Sequence, residues 1–375
     1  MDDFTQTCTG CGICREACPF LIEYGSPDEI LAGRPEVSFY CASCRRCDTS
    51  CPLGLSPSAA FSETKERMVR EHKIPPPVQK ALNGAWGFAK AGHGFPFSFY
   101  QSAETVFWPG CALAANRPSL VREICAVLSR HLDTKIGLAL DCCYDPVYGL
   151  GDTQTALNAL QDINKRLQAS GVRQVITGCL NCHKLLLLHL QDIKVVFILE
   201  LLPVELFEKK WASAAYLHHP CPSSRWEGTM QTAQDVFSVL STPQGDKKSV
   251  SVKPSEAICC GNGGGLSSSL PSLAARFLNA IVEEADTDTI VTYCSGCQNR
   301  FLNQGATSVH LLECLSQKPP RKKVPSALGQ WANRFMLAMA YRVKTVKFLA
   351  ALLMVLLVLC GVYLTQQNVF SADAM

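Results

Sequence analysis

Four spacings of cysteine constrain this chain more than any other feature. Residues 8–51 hold two runs, Cys8-x2-Cys11-x2-Cys14-x3-Cys18-Pro19 and Cys41-x2-Cys44-x2-Cys47-x3-Cys51-Pro52. Further on come two sets of five: Cys111, Cys142, Cys143, Cys179 and Cys182, then Cys221, Cys259, Cys260, Cys294 and Cys297. Of the 21 cysteines in 375 residues, only Cys125, Cys314 and Cys360 stand outside these sets, in apolar surroundings that suit buried, inert thiols. So much cysteine marks either a disulfide-stapled secreted scaffold or a metal protein. CxxC and CC groups suit a shared metal better than separate bridges. The start, Met1-Asp2-Asp3-Phe4-Thr5-Gln6-Thr7, lacks the basic residues and apolar run of a signal peptide. The reading is a metal protein in a reducing compartment.

Each N-terminal run resembles the cluster-binding run of bacterial ferredoxins. Three thiolates two residues apart wrap one face of a cubane while backbone N–H groups point at its sulfurs. The fourth cysteine, steered away by its proline, reaches the other cluster. One [4Fe-4S] cubane is thus expected on Cys8, Cys11, Cys14 and Cys51, and a second on Cys41, Cys44, Cys47 and Cys18. Zinc is the alternative, but it needs only four ligands in pairs. Such a module is an electron wire.

Residues 1–74 are therefore read as a dicluster ferredoxin-like domain that ends in a helix over about Pro57–His72. Pro75-Pro76-Pro77 breaks the chain, and the Gly- and Phe-rich stretch Ala81–Ser102 reads as a loop, giving a linker over 75–103. From about 104 to 314 the sequence repeats. Thr105–Cys111 resembles Ala215–Cys221, each a short apolar strand ending in Pro and Cys or Pro, Gly and Cys. A cysteine pair, a helical stretch (152–169, then 270–285) and a β-branched run (Val172–Thr177, then Thr289–Thr292) follow, each run delivering a CxxC. Corresponding cysteines are offset by 110, 117, 117, 115 and 115 residues, so order and kind both match. Strands alternating with helices imply two α/β units on parallel sheet, 104–210 and 211–317, each closed by a last strand (Lys194–Ile198; Ser308–Leu312).

Residues 318–347 carry eight Lys and Arg and no acid, and the tail after 364 carries one acid, Asp373. The formal net charge of +3 therefore leaves −4 for residues 1–317, which argues against a nucleic-acid partner. Residues 327–345 read as a basic amphipathic helix at an interface, making 318–347 a juxtamembrane segment. Phe348–Leu364 then runs seventeen residues without a charge. At about 1.5 Å per residue it covers roughly 26 Å, the short end for a transmembrane helix. Positive charge stays in the cytoplasm, so the expected location is the inner membrane with the cysteine-rich part on its cytoplasmic side.

Five ligands are odd for a cubane or a zinc ion. Adjacent cysteines diverge, so they suit bridging or separate irons of a larger cluster. Gly261-Asn262-Gly263-Gly264-Gly265 follows the second pair and can let backbone N–H groups approach a cluster; a loop tip is the plainer reading. The pattern C…CC…CxxC, present twice after a dicluster module, resembles the CCG domains of the heterodisulfide reductase family, over about residues 5–315. The iron–sulfur subunits of glycolate oxidase and anaerobic glycerol-3-phosphate dehydrogenase are similar. The resemblance implies a noncubane [4Fe-4S] cluster on each five-cysteine set and a disulfide substrate cleaved between them. Two departures stand out. Tyr144 follows the first pair where the family has Gly, and His218-His219-Pro220-Cys221 replaces a usual His-Asp-Pro-Cys. His218 and His219 either supply protons to a leaving thiolate or hold structure by hydrogen bonds, the second being favoured. His183 and His189 read as packing or surface residues.

Two functions follow. In one, electrons entering through the cubanes pass to the noncubane clusters, which reduce or form a disulfide, with Cys221, Cys259, Cys260, Cys294 and Cys297 of the second set as the catalytic candidates. In the other, the chain relays electrons between a flavoprotein dehydrogenase and quinone or a membrane cytochrome, without its own substrate. A structural zinc protein fits the pattern less well. The glycine run lacks the strand–helix setting of a dinucleotide fingerprint, so NAD or FAD would belong to a partner. A pocket between the five-cysteine sets would favour the first function.

Overall fold

The computed structural model describes residues 2–16, 18–97, 103–211, 214–240, 247–249 and 256–342. The expected span 348–364 lies outside the described residues. Among the described residues, no helix is long and apolar enough to cross a membrane.

Each half of residues 104–314 builds one four-stranded parallel sheet. The first contains β1 (Thr105–Trp108), β2 (Ile136–Leu138), β3 (Gln174–Thr177) and β4 (Lys194–Phe197), in the order β2-β1-β3-β4. The second contains β5 (Ala215–His218), β6 (Lys247–Ser249), β7 (Thr289–Thr292) and β8 (Thr307–His310), in the order β6-β5-β7-β8. Every pairing is parallel and the registers correspond: Thr177 lies opposite Phe197 as Thr292 lies opposite His310. The short strands β2 and β6 carry little periodicity and were not expected from sequence. β4 and β8 end at Phe197 and His310, sooner than expected, because each passes into a 3-10 turn.

The strands are apolar on both faces because helices cover both. Val106 and Trp108 of β1 pack into one cluster with Leu160, Ile163 and Leu167 of the helix Thr153–Ala169. Phe107, between them in sequence, points the other way, toward Leu120, Ile124 and Leu128 of the helix Pro118–His131. That alternation is what a parallel sheet with helices on both faces requires. The Phe107 cluster also includes Leu217, Val291 and Phe301, so the two halves share one core. Truncating Phe107 to Ala would cost about 3–5 kcal/mol. Buried Glu313 ties the halves further: it pairs with Arg117 and accepts from Gln298 Nε2 (3.0 Å) and the His310 N–H (3.0 Å).

Residues 2–70 form short helices around the first eight cysteines and then the helix Pro57–Arg70. That helix starts on a proline at its first position, where no N–H is needed. It buries Ala60, Phe61, Thr64, Lys65 and Met68 at helical spacing. The stretch expected to be a loop from Ala81 is instead helical as far as Ala91, within the helix Pro76–Ala91. The prolines that end one element start the next, and a Cβ on Gly84 or Gly87 would meet nothing within 4 Å, so no close backbone approach calls for glycine there. The C-terminal helix Ala327–Arg342 forms, and one face of it, with Arg334, Leu337 and Ala338, is buried against the first unit. Arg334 on that face is 1% exposed, stacks over Phe97 and Trp331 (4.7 Å each) and donates to the Leu140 carbonyl (3.2 Å). Its basic charge is therefore partly committed to the protein interior.

Candidate functional site

Parallel topology explains how cysteines so far apart in sequence meet. In the first unit, Cys111 opens the helix that follows β1, Cys142-Cys143 follow β2, and Cys179 caps the helix after β3. All three loops leave the carboxyl end of the sheet, at the switch point of strand order where α/β folds bind ligands. The second unit repeats this with Cys221, Cys259-Cys260 and Cys294. In each, one member of the pair meets the last cysteine: Cys143 Sγ lies 3.1 Å from Cys182 Sγ, and Cys260 Sγ 3.1 Å from Cys297 Sγ. The other member of each pair turns to the first cysteine. A hydrogen bond with Cys142 lowers Cys111 to about 6, and Cys259 bonds Cys221 and is itself raised well above a free thiol.

The N-terminal cysteines gather as two sets of four. Cys8, Cys11, Cys14 and Cys51 line one small cavity with Phe4, Leu53 and Leu55. Burial and then the charges of Cys8 and Cys11 push Cys14 up to about 11. Burial raises Cys47 too, reinforced by the charges of Cys41, Asp48, Cys44 and Cys18. Both loops curl the same way. Gly10 and Gly12 flank Cys11 with positive φ (63° and 79°), and Ser43 and Arg45 flank Cys44 with 51° and 62°. Among the described residues no disulfide forms, and no three His, Cys, Asp or Glu side chains are placed to hold a single metal ion.

Sequence reasoning did not foresee how the sets touch one another. Cys44 bonds to Cys259 of the second unit, which lowers it to about 6, with the Arg225 charge helping against burial. The first N-terminal run and the first five-cysteine set make no such link among the contacts described. The glycine run explains the docking. A Cβ on Gly263 or Gly264 would fall within 3.0 Å of the carbonyl oxygens of Ala42 and Cys41 respectively, so only glycine lets these backbones meet. Gly261 takes φ 70° and packs against Ala274 and Phe277. Gly263 and Gly264 thus seat the N-terminal loop, while the Gly261 N–H donates to Cys259 Sγ at 3.3 Å, a backbone donor aimed at a cysteine sulfur.

Where the three parts meet, a cavity of about 410 Å³ opens. Its walls include Cys221 of the second set, Asn181 and Lys184 of the first unit, and Ser43 and Arg45 of the N-terminal loop. Lys184 pairs with Asp145 at 2.9 Å. Burial opposes its charge, but Asp145, then Cys221 and Cys143, raise it above its ordinary value. One ammonium thus acts on a cysteine of each five-membered set. Lys184 stands two residues after a CxxC on a leucine-rich helix, and that position was the only hint available from sequence.

His218 ends β5, His219 follows it, and both are 2% exposed. Burial first, then neighbouring positive groups, lowers His218 to about 3; burial lowers His219 to about 4. His219 Nδ1 meets the Tyr293 hydroxyl at 2.9 Å, which in turn donates to Ser223 Oγ at 2.8 Å, and His218 packs edge-on to Phe301. These are the contacts of packing residues. His183 is likewise buried, with Nδ1 2.9 Å from Thr177 Oγ1.

Residues 105–186 and 216–301 each match the CCG cysteine-rich domain. Each α/β unit thus resembles that domain over most of its length. Over 332 residues it is 24% identical to one subunit of the fumarate reductase (CoM/CoB) of Methanothermobacter marburgensis, covering 78% of this chain and 66% of that protein. The chain thus spans just under two thirds of that relative's length. Among solved structures, allantoin racemase from Klebsiella pneumoniae aligns at 12% identity over 65% of this chain and 90% of that one. Its TM-score of 0.20 is too low to bear on fold or function.

Proposed function

We propose that the chain is an iron–sulfur oxidoreductase subunit that reduces, or forms, a disulfide in the cavity between its cysteine-rich units. In this reading Cys8, Cys11, Cys14 and Cys51 hold one ferredoxin-type [4Fe-4S] cluster, and Cys18, Cys41, Cys44 and Cys47 a second. Each five-cysteine set holds a noncubane [4Fe-4S] cluster. Such clusters, when bound, supply single electrons at potentials set by surrounding charge and hydrogen bonds. What supports them is that the thiols converge: Cys143 Sγ lies 3.1 Å from Cys182 Sγ, Cys260 Sγ 3.1 Å from Cys297 Sγ, and Cys8, Cys11, Cys14 and Cys51 share one cavity. Crowded, buried thiols raise one another's ionisation cost, and iron would replace the protons that otherwise keep them neutral.

The cavity is the observation that carries the reading. Cys221 is partly exposed and lines it, and Lys184 holds positive charge against both five-membered sets. Cleaving an S–S bond takes two electrons and two protons and leaves two thiols. As the bond opens, the Lys184 ammonium stabilises the thiolate that forms, Asp145 keeps that ammonium in place, and the cavity admits the protons with solvent. His218 and His219, held neutral by burial, keep the Cys221 loop packed. The electrons come from a redox partner, a flavoprotein or a membrane cytochrome, as the name of the relative, part of a reductase, supports. The proposal extends to residues 348–364 as a membrane anchor with the cysteine-rich part on the cytoplasmic side, which truncation after 342 and membrane fractionation would test.

Iron and sulfide assay of anaerobically purified protein, followed by steady-state turnover with disulfides beside quinone analogues, tests the rest. About sixteen irons per chain and disulfide turnover lost in Cys221→Ala are expected. Quinone-analogue reduction without any disulfide turnover would replace this reading with the relay.

A further inference from the structure

Lys65 is 1% exposed, yet none of its acceptors is a carboxylate. Its ammonium donates to the Cys41 carbonyl (2.8 Å), Ser43 Oγ (3.3 Å) and the Gly149 carbonyl (3.3 Å). Three acceptors use all three N–H bonds, which only the charged form of lysine offers. Those acceptors belong to the N-terminal loop and to the first unit, and a Cβ on Gly264 of the second unit would lie 3.1 Å from Lys65 Nζ. The Lys65 ammonium is thus buried where three parts of the chain meet, against the backbone of Cys41.

A buried cation without a counter-ion is costly, and a hydrophobic residue at this helix position would pack without that cost. A structural role alone does not account for it. A cluster on Cys18, Cys41, Cys44 and Cys47 gains negative charge on reduction, and a neighbouring buried cation, here on the wall of the cavity, stabilises the reduced form. We propose that Lys65 is a positioning residue that raises the reduction potential of the cluster held by the Cys41 set above that of the Cys8 set. Electrons are thereby drawn toward Cys44 and the Cys259 thiol beside it. That burial needs all three parts docked, so the bias exists only in the assembled chain. This inference rests on the cluster reading above.

EPR-monitored redox titration of the full-length, anaerobically purified protein tests it. Lys65→Met is expected to lower the midpoint of one ferredoxin-type signal by at least a tenfold shift in its redox equilibrium, about 59 mV for one electron. Lys65→Arg should keep it near the wild-type value. The shifted signal should be the one that survives Cys11→Ala. If Lys65→Met does not fold, Ser43→Asp sets a carboxylate against the ammonium, at a positive φ that Asp tolerates, and should shift the same signal the same way. Full iron content with an unmoved midpoint overturns the role of Lys65 and leaves the clusters standing. Iron-free wild-type protein overturns both.

Discussion

The two cysteine-rich units share strand order, register and cysteine placement, yet their surroundings differ. In the second, Cys259 meets Cys44 of the N-terminal region and Cys221 lines the cavity. In the first, no cysteine lines that cavity; Cys111 instead lies under the positive charge of Arg334, brought by the C-terminal helix. After the cysteine pair the second unit has Gly261 at φ 70°, and the first has Tyr144 at φ 61°, its ring edge-on to His93. The same backbone turn is thus made once at no steric cost and once under mild strain. Duplicated folds keep what hydrogen bonding and sheet topology demand and diverge in what borders them. The second unit borders the N-terminal cysteines and the cavity, and the first borders the C-terminal helix.

The comparison can be broken most directly through the cysteines. Cys259→Ala should bring disulfide turnover below detection and stop reduction of the second set by the N-terminal clusters. Cys142→Ala should also lower turnover but leave that reduction intact in freeze-quenched EPR; the opposite pattern would reverse the roles assigned to the units. Lys184→Met comes next. A supporting charge of this kind is worth about 10–100-fold in activity, read as kcat with iron content unchanged. Loss of iron in place of rate would make Lys184 a structural residue.

Stability separates the units further. A Cβ on Gly261 would fall 2.8 Å from the Ala274 carbonyl oxygen, so Gly261→Ala should cost about 1–3 kcal/mol in denaturant unfolding. Tyr144→Gly should release backbone strain and lose only ring contacts, giving a smaller net change. If the two cost the same, the turns are not equivalent. Acid lability separates the units as well. His310 of β8 takes the register position that Phe197 holds in β4, and burial, helped by Arg117, lowers it to about 3. The unfolded chain binds a proton near pH 6.5 and the folded one does not. Stability is therefore full above about pH 6.5 and falls below it by up to about 1.4 kcal/mol per pH unit until the folded value is reached. His310→Phe should flatten that slope; an unchanged slope would place the acid sensitivity elsewhere.

Sequence alone determined the four cysteine sets, the internal repeat, the α/β alternation and the outer helices of each unit. These rest on local spacing and periodicity, which survive in one dimension. The loop expected after the triple proline failed because Pro76 at a first helical turn starts a helix as readily as it ends one. Tertiary structure alone decided which sets touch. Cys44 against Cys259, Lys184 between two sets and Lys65 inside a junction all join residues scores of positions apart. The signs were faint: Lys65 stands on the apolar stripe of its helix with Phe61 and Met68, and the glycines after Cys260 also admit a loop tip. Contacts of that kind follow from how closely backbones can approach, and a sequence states the size of each side chain without saying which backbone it will meet.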